Sequence, residues 1–174
     1  MLRHHIIATA LLLSAGTSAA SESPMSLDEL ITFDDPRTCT FTEPTQTLFN
    51  EILPKRKGNV IWLGQVVAPL NLKPALGKPE VRILDNVRKA TLSMSGTWHG
   101  LHIVEIERQY RRDEKMVVDS SSIKFRDPPG RVRKVLNRLG FELTGSGHSS
   151  PEANSQYYNI NLFVAKGLTV LNCQ

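Results

Sequence analysis

The chain has only two cysteines, no apolar run long enough to cross a bilayer, no glycine-rich phosphate loop and no histidine pair at the four-residue spacing of helical metalloprotease sites, and each scarcity removes a class of protein. A spanning helix takes about 20 consecutive apolar residues. The longest candidate here, Ile6 to Leu13, ends at Ser14, Gly16, Thr17 and Ser18. Cys39 and Cys173 lack the two-residue spacing of a redox pair. Neither has a base beside it, since Thr38 and Thr40 flank one and Asn172 and Gln174 the other, so a thiolate nucleophile is not indicated. The Gly-x-Ser-x-Gly elbow of serine hydrolases is missing too. Its nearest approach, Gly145-Ser146-Gly147-His148, falls in a Gly/Ser/Pro-rich stretch without a strand-to-helix turn.

What is present begins at the N-terminus. Arg3, the apolar run Ile6 to Leu13 and the small residues Ser18-Ala19-Ala20 follow the order of a cleavable export signal, with cleavage expected after Ala20. No cysteine stands at that site to accept a lipid. The expected location is therefore periplasmic or secreted, and the expected organisation is a signal peptide over 1–20, a polar leader over 21–38 and one domain over 39–174. In an oxidising compartment two thiols at opposite ends of a domain pair. A Cys39–Cys173 bond is thus predicted, and the loop-entropy model assigns roughly 4 to 5 kcal/mol to so long a closure.

Past the signal, 20 basic residues stand against 17 acidic, a net of +3. That mild excess is compatible with ordinary solubility and with attraction to an acidic protein or envelope polymer. Export removes the usual nucleic-acid targets, and no RNA-stacking motif occurs. The length suits a single domain with its own core.

Periodicity predicts an α+β fold, a mostly antiparallel sheet with two amphipathic helices packed on it. Thr42-Glu43-Pro44 opens the first helix, with Leu48, Phe49, Ile52 and Leu53 as its apolar face and Pro54 as its stop. Asn59 to Phe125 changes to period two. Val60 to Val67, apolar on both faces, reads as a central strand, and Ala68 to Pro79 as a loop. Ala90, Leu92 and Met94 alternate with Thr91, Ser93 and Ser95, whose side is expected to face solvent. Val104 to Phe125 reads as a hairpin. Asp127, Pro128 and Pro129 open a second helix, Val132, Val135, Leu136 and Leu139 form its face, and Gly140 and Phe141 close it. Two strands, Tyr157 to Val164 and Leu168 to Leu171, end the chain.

The chemistry offered is sparse. His99, His102, Glu105 and Glu107 are metal-type residues, but on an extended segment the two histidines point to opposite faces, so neither a metal nor a cofactor is expected. Ser120, Ser121 or Ser122 with His99 and Asp119 or Asp127 would make a hydrolase only with a geometry that nothing local dictates. Gly96 and Gly100 bracket Thr97-Trp98-His99, where the backbone can closely approach a ligand or partner, although Trp98 is also in phase with the apolar side of its strand. Arg108, Arg111, Arg112, Arg131, Arg133 and Lys134 are the basic candidates for an acidic partner. The sequence thus leads to an exported, non-enzymatic binding domain of inhibitor, immunity or accessory type, recognising a protein or an envelope polymer through one sheet face and the basic helix. A small envelope hydrolase or metal-dependent enzyme using His99 is the alternative, and the oligomeric state stays open.

Overall fold

Alternation between apolar and polar residues builds the dominant feature, a sheet with one dry and one polar side. The computed structural model describes residues 24–57, 60–84, 87–111, 118–149 and 159–174. In chain order its elements are β1 (Phe33–Asp35), β2 (Thr40–Phe41), α1 (Glu43–Glu51), β3 (Lys55–Lys57), β4 (Val60–Trp62), β5 (Leu76–Leu84), β6 (Val87–Trp98), β7 (Leu101–Arg111), β8 (Val118–Phe125), α2 (Pro129–Arg138), β9 (Ile160–Ala165) and β10 (Leu168–Cys173). Six strands form one antiparallel sheet in the order β5-β6-β7-β8-β10-β9, while β1–β2 and β3–β4 are separate two-stranded ribbons. With its two helices, the fold is α+β.

Two of the sheet's turns are two-residue connections that require positive φ at both positions. His99 and Gly100 lie at 46° and 77° between β6 and β7, and Lys166 and Gly167 at 51° and 77° between β9 and β10. The dry face carries Ala90 and Leu92 of β6, Ile106 of β7, Ile123 and Phe125 of β8 and Leu171 of β10, all buried. Leu48 and Phe49 of α1 and Val132, Val135 and Leu136 of α2 join the same core.

The second helix ends as its sequence implies. Gly140 takes φ 98°, its N–H donates to Asn137 O, and the Phe141 N–H donates to Leu136 O, which is the Schellman pattern with Phe141 folded into the core. Its start differs from expectation. Pro128 is the N-cap, because Asp127 is engaged elsewhere: its Oδ2 accepts from the His102 N–H and its Oδ1 pairs with Arg131 at 3.1 Å.

Two further expectations are corrected. The segment anticipated as a polar leader is packed where it is described. Leu27, Leu30 and Ile31 are core residues, and the backbone around Met25–Leu27 pairs with Thr97 through bonds of 2.7 and 2.8 Å. Gly96 permits that approach, since a Cβ there would stand 2.5 Å from Met25 O. Its glycine therefore serves an intramolecular contact. Val60 to Val67 is not a central strand either: only Val60–Trp62 is strand, paired with Lys55–Lys57 and exposed. Apolar content alone could not place it, because nothing in the segment alternates to define a buried side.

Cys39 and Cys173 form a disulfide, with Cα atoms 5.9 Å apart across a sequence separation of 134. It ties the turn before β2 to the last residue of β10 in the buried interior. Such a bond is compatible with an oxidising, extracytoplasmic compartment. Among the described residues no helix is long and apolar enough to cross a membrane.

Candidate functional site

The sheet face turned away from the helices is polar at its centre, with Phe163, Ala165, Leu168 and Val170 toward its β9–β10 end, and register explains how its residues meet. Period two sends Glu105, Glu107 and Gln109 to the side opposite Ile106, and antiparallel pairing sets strand neighbours beside them. One row across the sheet reads Thr91, Glu107, Ser122, Asn172, Asn161. The next row reads Ser93, Glu105, Lys124, Val170, Phe163, and on the other side Lys89, Gln109 and Ser120 line up. All of these but Ser93 line a groove of about 650 Å³.

At its centre four charges interlock. Lys89 Nζ stands 2.8 Å from Glu107 Oε1, Lys124 Nζ 2.6 Å from Glu107 Oε2, and Lys124 Nζ 2.5 Å from Glu105 Oε1. Burial alone would raise the Glu107 carboxyl, but the hydrogen bonds and charges of Lys124 and Lys89 outweigh it and hold the group below the ordinary glutamate value. Lys124 answers in kind. Burial would lower it, yet Glu105 and Glu107 raise it above the ordinary lysine value. Beside this quartet the Ser122 hydroxyl donates to Asn172 Oδ1 at 2.9 Å.

The rim comes from the loop after α2. Thr144 N–H donates to His148 O, Leu162 N–H donates to Gly147 O, and His148 Nδ1 lies 2.5 Å from Asn161 Oδ1. Gly147, at φ 86°, has the Leu162 carbonyl where a Cβ would sit, so only glycine lets the loop lie this close to β9. Ser146 and His148 thereby face the groove.

The residues singled out from sequence fall elsewhere. Trp98 is 1 % exposed, and its Nε1–H donates to Ile31 O at 2.7 Å. It is core, in phase with Leu92, and no partner can reach it. Arg108 is 4 % exposed on the dry face, its guanidinium 5.4 Å from the centre of the Phe49 ring, and burial lowers its pKa to about 10. It too is no surface cation. His99 sits in the β6–β7 turn with its N–H bonded to Asp28 Oδ1, outside the groove lining. Arg131 donates to Gly100 O at 2.8 Å, and Arg133 to Gly145 O and Thr144 O, so both brace loops. Lys134 is exposed on α2 and Arg111 is exposed at the end of β7, whereas Arg112 lies outside the described residues.

The metal-type residues are also separated by function. Glu105 and Glu107 are held by lysines, and His102 Nδ1 lies 3.4 Å from Asp127 Oδ2. Among the described residues no three His, Cys, Asp or Glu side chains are grouped so as to hold an ion. Of the three serines considered for hydrolysis, Ser120 and Ser122 line the groove, while Ser121, opposite Cys173, belongs to the dry face; the side chain of Asp119 lies outside the described residues.

Sequence reasoning assigned Lys89, Lys124 and Asn172 no role and weighed Ser122 only as a candidate nucleophile. A signal existed in the alternation of Glu105 and Glu107 on a strand whose two neighbours carry one lysine each, Lys89 and Lys124, but it becomes visible only once the register is known. No protein-family model, no curated protein and no solved structure matches the chain.

Proposed function

We propose that the protein is an exported, non-enzymatic binding domain that takes a polar segment of a protein or of an envelope polymer into the groove on the open sheet face. The observation that carries this reading is the charge quartet at the groove floor. An ion-pair network of this kind costs desolvation and is weak support for stability, whereas a groove floor needs fixed, oriented donors and acceptors for recognition. Lys89, Lys124, Glu105 and Glu107 hold one another in place, and Thr91, Ser120, Ser122, Asn172 and Gln109 supply hydroxyls and amides around them.

Binding is favoured over catalysis by the same contacts. Each Glu107 oxygen is engaged by an ammonium and the carboxyl is held ionised, so it is a poor proton donor near neutrality. The Ser122 hydroxyl gives its proton to an amide oxygen and not to a base. The export signal read in residues 1–20 and the end-to-end disulfide support a site of action in an envelope or outside the cell.

Capture from an envelope extract tests the reading. The oxidised chain should retain a stoichiometric partner, and the double variant Glu107→Gln/Lys124→Gln, which keeps the volumes and removes the central charges, should retain at least about tenfold less, as expected when charge-assisted hydrogen bonds are lost. Equal retention by a folded double variant would remove the groove from the account.

A further inference from the structure

Six of the nine exposed large apolar side chains among the described residues, Val60, Ile61, Trp62, Leu63, Val67 and Leu70, fall within eleven consecutive positions. Trp62 is 43 % exposed, Val67 76 % and Leu70 81 %. They lie on and just beyond the β3–β4 ribbon, which belongs to no larger sheet. Contiguous exposure of this kind on a folded domain marks a surface that meets something else.

Charge identifies what it meets. From Ile52 to Pro79 the chain has five basic residues, Lys55, Arg56, Lys57, Lys73 and Lys78, and no acidic one. That stretch alone carries +5, more than the +4 of the entire chain. Basic and apolar residues are also interleaved in space: across the ribbon Lys55 pairs with Trp62 and Lys57 with Val60, so both apolar side chains have a lysine stem beside them. Behind them Leu63, Val66 and Leu76 line a shallow cleft together with Lys73 and Lys78. Tryptophan at a boundary between water and hydrocarbon, aliphatic side chains to enter the boundary and lysines to meet phosphate headgroups form the composition of an interfacial membrane contact. An acidic protein surface would attract the lysines but would leave Val67 and Leu70 without a reason to be bare.

We infer that the β3–β4 ribbon and the segment to Leu70 form a peripheral contact with an anionic lipid surface. The inference is independent of the groove, which lies on the open face of the main sheet. Its geometry is monotopic: apolar side chains enter the headgroup boundary, the lysines remain at phosphate level, and the sheet stays in water.

Vesicle binding tests it. All described residues lie within 24–174, so the chain from Ser21 keeps every described element and loses the apolar run 6–13 that would itself bind lipid. Mixed with vesicles of equal parts phosphatidylcholine and phosphatidylglycerol, it should co-sediment at least about tenfold more strongly than with phosphatidylcholine alone, and raised salt should weaken that binding. Tryptophan emission should shift to shorter wavelength. The shift reports Trp62, because Trp98 is already buried. Ile61→Ser/Trp62→Ser should lower binding by about tenfold, and Lys55→Gln/Lys57→Gln should lower it by a similar factor on anionic vesicles only. Unchanged Trp98 emission in Ile61→Ser/Trp62→Ser, and unchanged total emission of Lys55→Gln/Lys57→Gln without vesicles, would certify the two folds. Absence of binding to anionic vesicles would overturn the inference, as would undiminished binding by both folded variants. So would a stable dimer dissociated by Trp62→Ser, which would make a second copy the occupant.

Discussion

Glu107 is 6 % exposed, yet each of its oxygens touches a lysine, and its ionisation is thereby coupled to folding. Its folded pKa lies below the unfolded value, so its contribution to stability is fully present above about pH 4.3. That contribution is lost as pH falls through the lowered folded value. Lys124 has the opposite sign. Its folded pKa is raised, so its contribution is present below about pH 10.4 and lost as pH rises through the raised value. Urea midpoints should therefore form a plateau that falls at both ends, and Glu107→Gln should flatten the acid limb. Glu107→Ala should cost about 2 kcal/mol near neutrality, less than for a fully buried pair because Lys89 and Lys124 keep some contact with water. An acid limb unchanged in Glu107→Gln would show that other carboxylates govern acid unfolding.

At the scale of elements, α2 shows how cations read as a binding face become structural. Arg131 holds the β6–β7 turn through Gly100 O, and Arg133 holds the groove rim through Gly145 O and Thr144 O. Arg131→Ala and Arg133→Ala should each destabilise by roughly 0.5 to 1.5 kcal/mol, while the exposed Lys134→Glu should stay within about 0.5 kcal/mol of the parent; denaturant titration distinguishes them. Equal, negligible effects at all three positions would make α2 a recognition surface again. The helix itself was legible because start, face and stop all lie within a few residues, and only its cap changed, Asp127 being recruited by His102 and Arg131. The long hairpin strands were legible for the same local reason. The packing of Leu27, Leu30 and Ile31 was not, since it depends on a backbone approach to Gly96 that lies about 70 residues away in sequence. Nor was the groove, because Thr91 and Ser93 look like any solvated strand side until register places Glu107 and Glu105 beside them.

For the whole molecule the disulfide joins the turn before β2 to the end of the C-terminal strand. Reduction, or Cys39→Ser/Cys173→Ser, should lower stability by about 2 to 5 kcal/mol, read as a fall in the urea midpoint; an unaltered midpoint would show that the interior alone holds the two ends. The sheet has two sides with different work. Its dry side is closed by α1, α2 and the 24–38 segment, and its polar side carries the quartet and the rim of Ser146 and His148.

Amide NMR of the oxidised, isotopically labelled chain, alone and with the partner retained from the envelope extract, tests that division most directly. The account predicts shifts concentrated on β7, β8 and β10 around Glu107, Ser122, Lys124 and Asn172, with α2 and the His99 turn unmoved. Shifts confined to α2 or to the His99 turn, with the groove silent, would contradict it.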